Sequence, residues 1–289
     1  MNYRHGFHAG NFADVLKHVL LVELVRAMQR KEKGFFFLDT HAGRGAYDLA
    51  AAARGGALER APEWPGGIGK LWAAEGLSER LAEYREIVRR FDRENGGGGD
   101  GPRFYPGSPV IAQVLMRTQD RMALCERHPE EFAALEDRFR FTPRAIVREM
   151  DGYEAMRAML PPAERRALAL IDPPFEAVDE FARVAGAIRE GLARLAQGVF
   201  AVWYPLTERA RIETFFAELR TLKLPPTVTV EMTIAEEDAG LKMRGCGVLV
   251  VNPPWRWVEP AEAAAKELAA MLGVARGGGA RVEWLVEER

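Results

Sequence analysis

The stretch Ala167-Leu168-Ala169-Leu170-Ile171-Asp172-Pro173-Pro174-Phe175 decides how the rest of this chain is interpreted. Its apolar part predicts a buried strand, and the two prolines end that strand because proline has no backbone N–H to donate to a sheet. The result is a stiff turn that holds Asp172 and Phe175 in a fixed relation. In an open α/β sheet, ligands bind at the carboxyl ends of the strands, where this turn would lie.

Two interpretations of this turn remain open at this point. A carboxylate beside a flat aromatic ring suits a planar base with an exocyclic amine, because the acid accepts the N–H and the ring stacks on the base. The alternative is an ordinary exit from a strand, in which Asp172 caps the loop. Four residues do not separate these interpretations, since short motifs also occur by chance.

The composition is that of a globular protein with one large α/β domain or two smaller ones: 289 residues, of which 48% are hydrophobic and 28% charged. No apolar run approaches the roughly 20 residues that span a bilayer, and no basic and apolar leader opens the chain. Cys125 and Cys246 lie in or beside apolar segments, which indicates neither a disulfide framework nor a zinc site. We therefore expect a cytoplasmic protein without a membrane partner. At a net charge of −2, contact with nucleic acid would require a local basic patch.

Strands and helices alternate along most of the chain. Apolar runs predict strands at residues 34–39, 121–126, 145–148, 168–171, 198–205, 227–234 and 247–251, with helices between them. This alternation predicts a Rossmann-like α/β sheet of seven strands, mostly parallel, with helices on both faces and an antiparallel last hairpin. Residues 51–104 interrupt it with short helices and a flexible glycine loop at 96–99, which predicts a small helical insertion after the first strand. Residues 281–286 form one further strand-like segment.

Three parts of the chain can be assigned on this basis. Residues 34–50 and 105–289 form the main sheet domain, residues 51–104 an inserted helical subdomain, and residues 1–33 an N-terminal motif and helix that would pack on the ligand site. The apolar spacing from Phe12 to Val25 predicts an amphipathic helix, and Asn11 is suited to cap it. Four of the five histidines lie in the first 41 residues. They are not at recognised metal-site spacings, so we expect no metal and interpret them as hydrogen-bonding groups in a polar cleft.

Acidic residues close successive predicted strands. Asp39 precedes a turn that contains Gly43 and Gly45, Glu126 closes the next strand, and Asp151 follows the third. Glycines let the backbone approach a nucleoside, and an acid after the second strand commonly accepts hydrogen bonds from a ribose diol. Because the turn is not G-x-G-x-x-G, we expect a nucleoside ligand without a pyrophosphate.

This arrangement resembles the class I S-adenosylmethionine-dependent methyltransferases, whose amine-methylating members carry an Asp/Asn-Pro-Pro-aromatic motif after the fourth strand. A narrower resemblance covers nearly the whole chain. It rests on Tyr3-Arg4-His5, Phe7-His8-Ala9-Gly10-Asn11, Ala13-Asp14-Val15-Leu16-Lys17-His18, Asp39-Thr40-His41-Ala42-Gly43, Tyr105-Pro106-Gly107-Ser108-Pro109 and Asn252-Pro253-Pro254-Trp255. These motifs look like those of the RlmJ family, which are bacterial 23S ribosomal RNA adenine-N6 methyltransferases.

The resemblance implies S-adenosyl-L-methionine as cofactor, 23S ribosomal RNA as partner and methylation of the exocyclic N6 amine of a specific adenine. Carried over by motif, with the neighbouring Lys17 and Gly43 added, the cofactor would be bound by Lys17, His18, His41, Gly43, Ser108, Glu126, Asp151, Gly152 and Asp172. The catalytic residues would be Asp172, the carbonyl of Pro173 and the ring of Phe175, which replaces the Tyr of many amino methyltransferases. Tyr3 would contact the RNA, and we group Arg4 and His5 with it. We expect a monomer.

Asn252-Pro253-Pro254-Trp255 is a second motif of the same type. It follows the last predicted strand, far from a cofactor beside Asp39, so we expect a structural or pocket-rim role. Two other functions stay open. One is an amino methyltransferase that acts on DNA or on a protein amide with the same motif. The other is a non-catalytic RNA-binding protein that uses the basic, aromatic N-terminus.

Overall fold

The computed structural model describes residues 7–54, 61–236, 240–241, 243–274 and 278–287. Its strands are β1 (Phe36–Asp39), β2 (Ala46–Asp48), β3 (Phe104–Pro106), β4 (Arg121–Glu126), β5 (Ala145–Glu149), β6 (Ala167–Ile171), β7 (Val199–Pro205), β8 (Thr227–Thr233), β9 (Gly245–Val251) and β10 (Gly279–Val286). Eight of them form the main sheet, in the order β10-β8-β9-β7-β6-β1-β4-β5, and β2 pairs with β3 alone.

The predicted architecture is confirmed, but the predicted number of strands was wrong: the main sheet has eight strands and not seven. β5, β4, β1, β6 and β7 are parallel, and β8 and β9 form the predicted antiparallel hairpin. The additional strand, β10, pairs antiparallel with the outer side of β8. Most of its side chains are only half-buried, as at the edge of a sheet, so it lacks the continuous apolar run that marks the central strands.

Helices cover both faces of the sheet. They are α1 (Phe12–Gln29), α2 (Leu49–Arg54), α3 (Ile68–Ala73), α4 (Glu79–Glu94), α5 (Ser108–Leu115), α6 (Pro129–Phe139), α7 (Gly152–Met159), α8 (Glu180–Arg194), α9 (Arg209–Thr221) and α10 (Val258–Leu272). Side chains alternate across a strand, so Leu168 and Leu170 join the core under α1, α5 and α10, whereas Ala169 and Ile171 join the core under α7, α8 and α9. Within the described ranges, no helix is both long and apolar enough to span a membrane.

Helix α1 is more deeply buried than an amphipathic helix. As predicted, it begins after Asn11, whose Oδ1 accepts the N–H groups of Ala13 and Asp14 at 3.0 and 2.9 Å. It packs against the sheet on one side and against α4, α5 and α10 on the others. Its polar residues Asp14, Lys17 and His18 are therefore buried with the apolar ones and must find partners inside the protein.

The direction of the strands gives the sheet two edges of different character. We call the edge where the five parallel strands end the carboxyl edge, and the one where they begin the amino edge. The register of β6, β1 and β4 brings Asp172, Asp39 and Glu126 to the carboxyl edge. This juxtaposition places the acids of the predicted site on neighbouring strands.

Asn252 lies at the amino edge, because β9 runs antiparallel to β7. Its side-chain amide donates to the carbonyl oxygens of Ala196 and Gly198, both at 2.9 Å. These bonds hold the turn that precedes β7. The contacts of Asn252 are therefore structural, and the residue is not on the rim that carries Asp172.

The predicted insertion is closed at its base by the β2–β3 ladder, in which Tyr47 pairs with Tyr105. Next to this ladder, the buried carboxylate of Asp92 accepts the N–H groups of Gly98 at 3.0 Å and of Arg103 and Phe104 at 2.8 Å. A Cβ atom at Gly97 would lie 2.1 Å from Asp92 Oδ2, so a side chain has no space there. The glycine loop thus folds closely around one carboxylate, although its composition suggests a flexible linker.

Asp92→Ala should lower the free energy of unfolding by about 3 kcal/mol, because three backbone N–H groups lose their acceptor. Asp92→Asn keeps one acceptor oxygen and should cost about half as much. Urea unfolding followed by circular dichroism measures both. As control, Asp100→Ala removes an exposed acid from the same loop and should change stability by less than about 0.5 kcal/mol. Equal losses for Asp92→Ala and Asp100→Ala would contradict the role of the Asp92 carboxylate.

Candidate active site

The turn after β6 has an unusual backbone. Phe175 has a φ of +50°, in the left-handed region that costs a bulky side chain of order 1–3 kcal/mol. Its ring centroid lies 4.9 Å from that of Phe181 and 5.9 Å from that of Trp203. The ring is half-buried, and these contacts fix it beside Asp172 at the carboxyl edge. Trp203, on the neighbouring β7, was not among the predicted site residues.

A buried ion pair joins α1 to this turn. Lys17 Nζ lies 2.6 Å from Asp172 Oδ2 and 2.8 Å from Asp14 Oδ1. Asp14 Oδ2 also accepts the N–H of Gly10 at 3.0 Å. Burial acts to lower the pKa of Lys17, but the charges and hydrogen bonds of Asp14 and Asp172 outweigh it and raise the pKa well above its usual range. Lys17 is therefore a permanent cation beside Asp172.

The second oxygen of Asp172 is available as an acceptor. Oδ2 receives the bond from Lys17, whereas Oδ1 has no hydrogen bond to any residue in the described part of the chain. The Asp172 side chain is 15% exposed, so Oδ1 can be reached from the carboxyl edge. The sequence places this acid at the turn, but the partner 155 positions away on α1 has no local signal.

Asp39 is fully buried one strand away. Its Oδ2 accepts the Ser108 hydroxyl at 2.7 Å, and its Oδ1 accepts the backbone N–H of His41 at 3.3 Å. Burial, partly opposed by the Ser108 hydrogen bond and assisted by the charge of Asp172, raises the pKa of Asp39 to about 7. Ser108 serves this contact as the first residue of α5; the N-cap of that helix is Gly107.

His41 is held in one tautomer. The Thr40 hydroxyl donates to the carbonyl oxygen of Leu170 at 3.0 Å, so toward His41 Nδ1, at 2.8 Å, it acts as acceptor. Nδ1 therefore carries the proton, and Nε2 presents a lone pair. Burial lowers the pKa of His41 to about 4, so the ring is neutral at pH 7. Its edge packs against Tyr153, with the ring centroids 5.1 Å apart.

Glu126 joins two loops of the carboxyl edge. Its Oε2 accepts the backbone N–H of Gly43 at 2.8 Å, and its Oε1 accepts that of His128 at 2.7 Å. Gly43 has a φ of +57°, which glycine adopts without strain. A carboxylate has about four lone-pair positions, so Glu126 can still accept bonds from a ligand.

Asp151 and Gly152 begin α7 beside this turn. Asp151 Oδ1 caps the helix through the N–H of Tyr153 at 2.9 Å, and Oδ2 pairs with Arg183 at 2.9 Å. These bonds outweigh burial and lower the pKa of Asp151. A Cβ atom at Gly152 would lie 2.0 Å from the carbonyl oxygen of Thr40, so only glycine fits.

His18 connects α1 to the insertion. Its Nδ1 lies 2.8 Å from the hydroxyl of Tyr105, which lies 2.7 Å from the hydroxyl of Tyr84. All three residues are buried. Neither tyrosine was predicted as a site residue, although Tyr105 lies in the same motif as Ser108, Tyr105-Pro106-Gly107-Ser108-Pro109.

The structure thus gathers Lys17, Asp39, His41, Ser108 and Asp172 around the ends of β1 and β6, and Gly43, Glu126, Asp151 and Gly152 around the ends of β4 and β5. Tyr3, Arg4 and His5 lie outside the described residues. Within the described ranges, no three His, Cys, Asp or Glu side chains are grouped as metal ligands.

Comparison with known proteins places this site in a family. The family described as "Ribosomal RNA large subunit methyltransferase D, RlmJ" matches residues 32–286. The ribosomal RNA large subunit methyltransferases J of Escherichia coli (strain K12) and Haemophilus influenzae are 36% and 37% identical over 288 residues, covering 100% of each chain. The crystal structure of protein LPL1258 from Legionella pneumophila is 31% identical with a TM-score of 0.83, covering 96% of this chain and 97% of that one. The chain therefore belongs to the RlmJ family of ribosomal RNA large subunit methyltransferases.

Proposed function

We propose that this protein transfers a methyl group from S-adenosyl-L-methionine to the N6 amine of a specific adenine in 23S ribosomal RNA. One observation carries the proposal: Lys17 fixes one oxygen of Asp172, and the other oxygen receives no hydrogen bond from the described residues, three positions before the half-buried ring of Phe175. An acceptor next to a flat ring suits a planar base with an amine. Ribosomal RNA as the substrate is supported by the two full-length relatives, which are ribosomal RNA large subunit methyltransferases.

The residues at the carboxyl edge fit S-adenosylmethionine. That molecule has a ribose diol, an ammonium group and a sulfonium cation, and the ends of β1, β4 and β5 offer it the acids Asp39, Glu126 and Asp151. We assign cofactor binding to these acids and to Lys17, His18, His41, Gly43, Ser108, Gly152 and Asp172. When bound, the cofactor supplies an electrophilic methyl group.

The role of the turn follows from the chemistry of adenine. The N6 amine is a weak nucleophile because its lone pair is delocalised into the ring. Hydrogen bonds from its two N–H groups to Asp172 Oδ1 and to the Pro173 carbonyl would localise that lone pair and orient it. Phe175 would stack on the base, which must be unpaired or flipped out to reach the edge. After transfer, the proton leaves N6 for Asp172 and then for water.

Lys17 would act as a positioning residue in this scheme. Its bond to Oδ2 stops the Asp172 carboxylate from rotating, so Oδ1 stays directed at the substrate. Tyr3, Arg4 and His5 remain our candidates for contact with the RNA around the target adenine.

Asp172→Ala should abolish methyl transfer, because the amine loses the acceptor that orients it, while S-adenosylmethionine affinity stays within about tenfold, or roughly 1.4 kcal/mol. Transfer of labelled methyl to a 23S transcript and calorimetric titration measure the two effects. Glu176→Gln, an exposed acid four residues away, and Asn252→Ala, in the second Pro-Pro motif, are the controls and should keep turnover. Near wild-type turnover of Asp172→Ala would remove this residue from the mechanism.

Phe175→Ala should raise the activation free energy by about 1–3 kcal/mol through lost stacking on the base. Single-turnover methylation of the RNA measures it. Val178→Ala, which shortens an apolar side chain that is 94% exposed on the same connection, should leave the rate unchanged. An unchanged rate for Phe175→Ala on RNA would exclude the stacking role.

Affinity for S-adenosylmethionine should rise with pH up to about 7, because the proton on Asp39 competes with a cationic ligand. The dissociation constant should fall by up to about tenfold per pH unit below 7 and then level off. His41, with a pKa of about 4, does not titrate in this range. Calorimetry between pH 5.5 and pH 8.5 tests the dependence. In Asp39→Asn, the change of the dissociation constant with pH that comes from Asp39 should disappear. The same pH dependence in the variant and the wild type would contradict the role of Asp39 in cofactor binding.

A further inference from the structure

Basic residues are concentrated at the amino edge of the sheet. Seven connections lie there, at residues 30–35, 116–120, 140–144, 160–166, 195–198, 222–226 and 252–257. Together with Glu287 after β10, they carry four acids and ten bases, namely Arg30, Lys31, Lys33, Arg117, Arg140, Arg144, Arg165, Arg166, Lys223 and Arg256. We call this surface the basic edge. Its excess of positive charge contrasts with the net charge of −2 for the whole chain.

The acids of this surface do little to neutralise it. Asp120 is buried and pairs with Arg117 at 3.0 Å, and Glu164 pairs with Arg121 of β4 at 2.5 Å. The remaining two acids, Glu32 and Glu287, are exposed, against eight exposed bases. The exposed bases are Arg30, Lys31, Lys33, Arg140, Arg144, Arg165, Lys223 and Arg256. The outward face of the basic edge is therefore strongly cationic.

Hydrogen bonds link three of the connections on the basic edge, those at residues 30–35, 160–166 and 252–257. The Arg30 guanidinium donates to the carbonyl oxygens of Trp255 and Arg256, and Arg166 donates to that of Lys33. These arginines are bound to neutral carbonyl groups, so their charge is not compensated there. Burial and the charge of neighbouring Arg117 both lower the pKa of Arg166, which reflects the crowding of positive charge.

Two exposed aromatic rings lie among these bases. Phe141, between Arg140 and Arg144, is 89% exposed, and Trp255 is 69% exposed, with the Arg256 guanidinium 4.2 Å from its ring centroid. The other large apolar side chains exposed in the described ranges are aliphatic. Aromatic rings in a cationic groove are the platforms on which single-stranded nucleic acids stack.

The carboxyl edge has the opposite charge. The described residues of its connections, at 40–45, 127–128, 150–151, 172–179, 206–208, 234–236, 240–241, 243–244 and 273–274, carry six acids and three bases. In addition, β1, β4 and β5 end in Asp39, Glu126 and Glu149. Phosphate groups are repelled by such an edge, so an RNA must be held by contacts elsewhere while its base enters the site.

We propose that the basic edge is a second RNA-docking surface, which binds the phosphate backbone of the substrate about 20 Å from the reacting base, the length of a strand of six residues. Trp255 and Phe141 stack there on unpaired bases. The inference rests on the proposed function for the identity of the RNA. It explains how a chain of negative net charge retains a polyanionic substrate at an acidic edge.

The test is a variant with Lys31→Gln, Lys33→Gln, Arg165→Gln and Arg256→Gln. Arg30, Arg117 and Arg166 are left in place because their hydrogen bonds hold the connections together. The affinity for a 23S ribosomal RNA transcript should weaken by about tenfold or more near 0.1 M salt. The logarithm of the association constant should also fall less steeply with the logarithm of the salt concentration, by about two to three in slope. Affinity for S-adenosylmethionine should not change. Trp255→Ala should weaken RNA binding by up to about tenfold at an unchanged salt slope.

The matched control removes the same number of charges outside the basic edge, through Arg90→Gln, Arg93→Gln, Lys266→Gln and Arg281→Gln, all exposed by half or more. The affinity of this control variant for the transcript should stay within about twofold of that of the wild type. Equal weakening in both variants, or an unchanged salt slope in the test variant, would overturn the proposal. Thermal melting checks that each variant is folded. A wild type that binds the transcript but methylates no adenine would refute the proposed function, and the binding comparison would still decide the docking surface.

Discussion

The buried ion pair between Lys17 and Asp172 is the contact on which the rest of the site depends. Burying two charges costs several kcal/mol per ion unless partners and further hydrogen bonds compensate. Here Asp14 is a second partner of Lys17, and the backbone N–H of Gly10 donates a hydrogen bond to the other carboxylate oxygen of Asp14. The cluster therefore fixes the position of α1 along the axis of β6, because Lys17 reaches Asp172 only when the helix lies level with the end of that strand. The N-terminal helix is part of the site and not a cover for the sheet.

The two edges of the sheet differ for a reason that lies in the fold itself. In the parallel part, each helix runs back from the carboxyl edge and ends at the amino edge. The carbonyl end of a helix favours cations, so bases such as Arg30 after α1 and Arg140 after α6 are stabilised there without any ligand. Acids cap helices at the other edge, as Asp151 does for α7. A docking surface for RNA would thus exploit a charge separation that folding already favours.

Local patterns predict the alternating sheet and the acids at its carboxyl edge, because periodicity and strand ends are properties of neighbouring residues. They do not predict the burial of α1, since α4, α5 and α10 cover it from distant parts of the chain. For the same reason, the spacing that indicates an amphipathic helix was misleading, and the partners of Lys17 and His18 were missed. β10 was recognised only as a strand-like segment at 281–286 and was not counted in the sheet, because an edge strand is half-exposed and has no continuous apolar run.

The charges around Asp172 have an energetic consequence. Asp14, Asp39 and Asp172 lie around one buried cation, Lys17, so the cluster carries one net negative charge while Asp39 is protonated and two once Asp39 ionises. The pKa of Asp39 is raised to about 7, so between about pH 4 and pH 7 the folded state binds a proton that the unfolded state has lost. Asp39 therefore lowers the free energy of unfolding progressively as the pH rises to about 7. Above that pH the reduction is complete and stays constant. A cationic ligand at this edge reduces the repulsion among the three carboxylates and so restores part of the lost stability. The repulsion that destabilises the protein without a ligand therefore favours the binding of a ligand of positive charge.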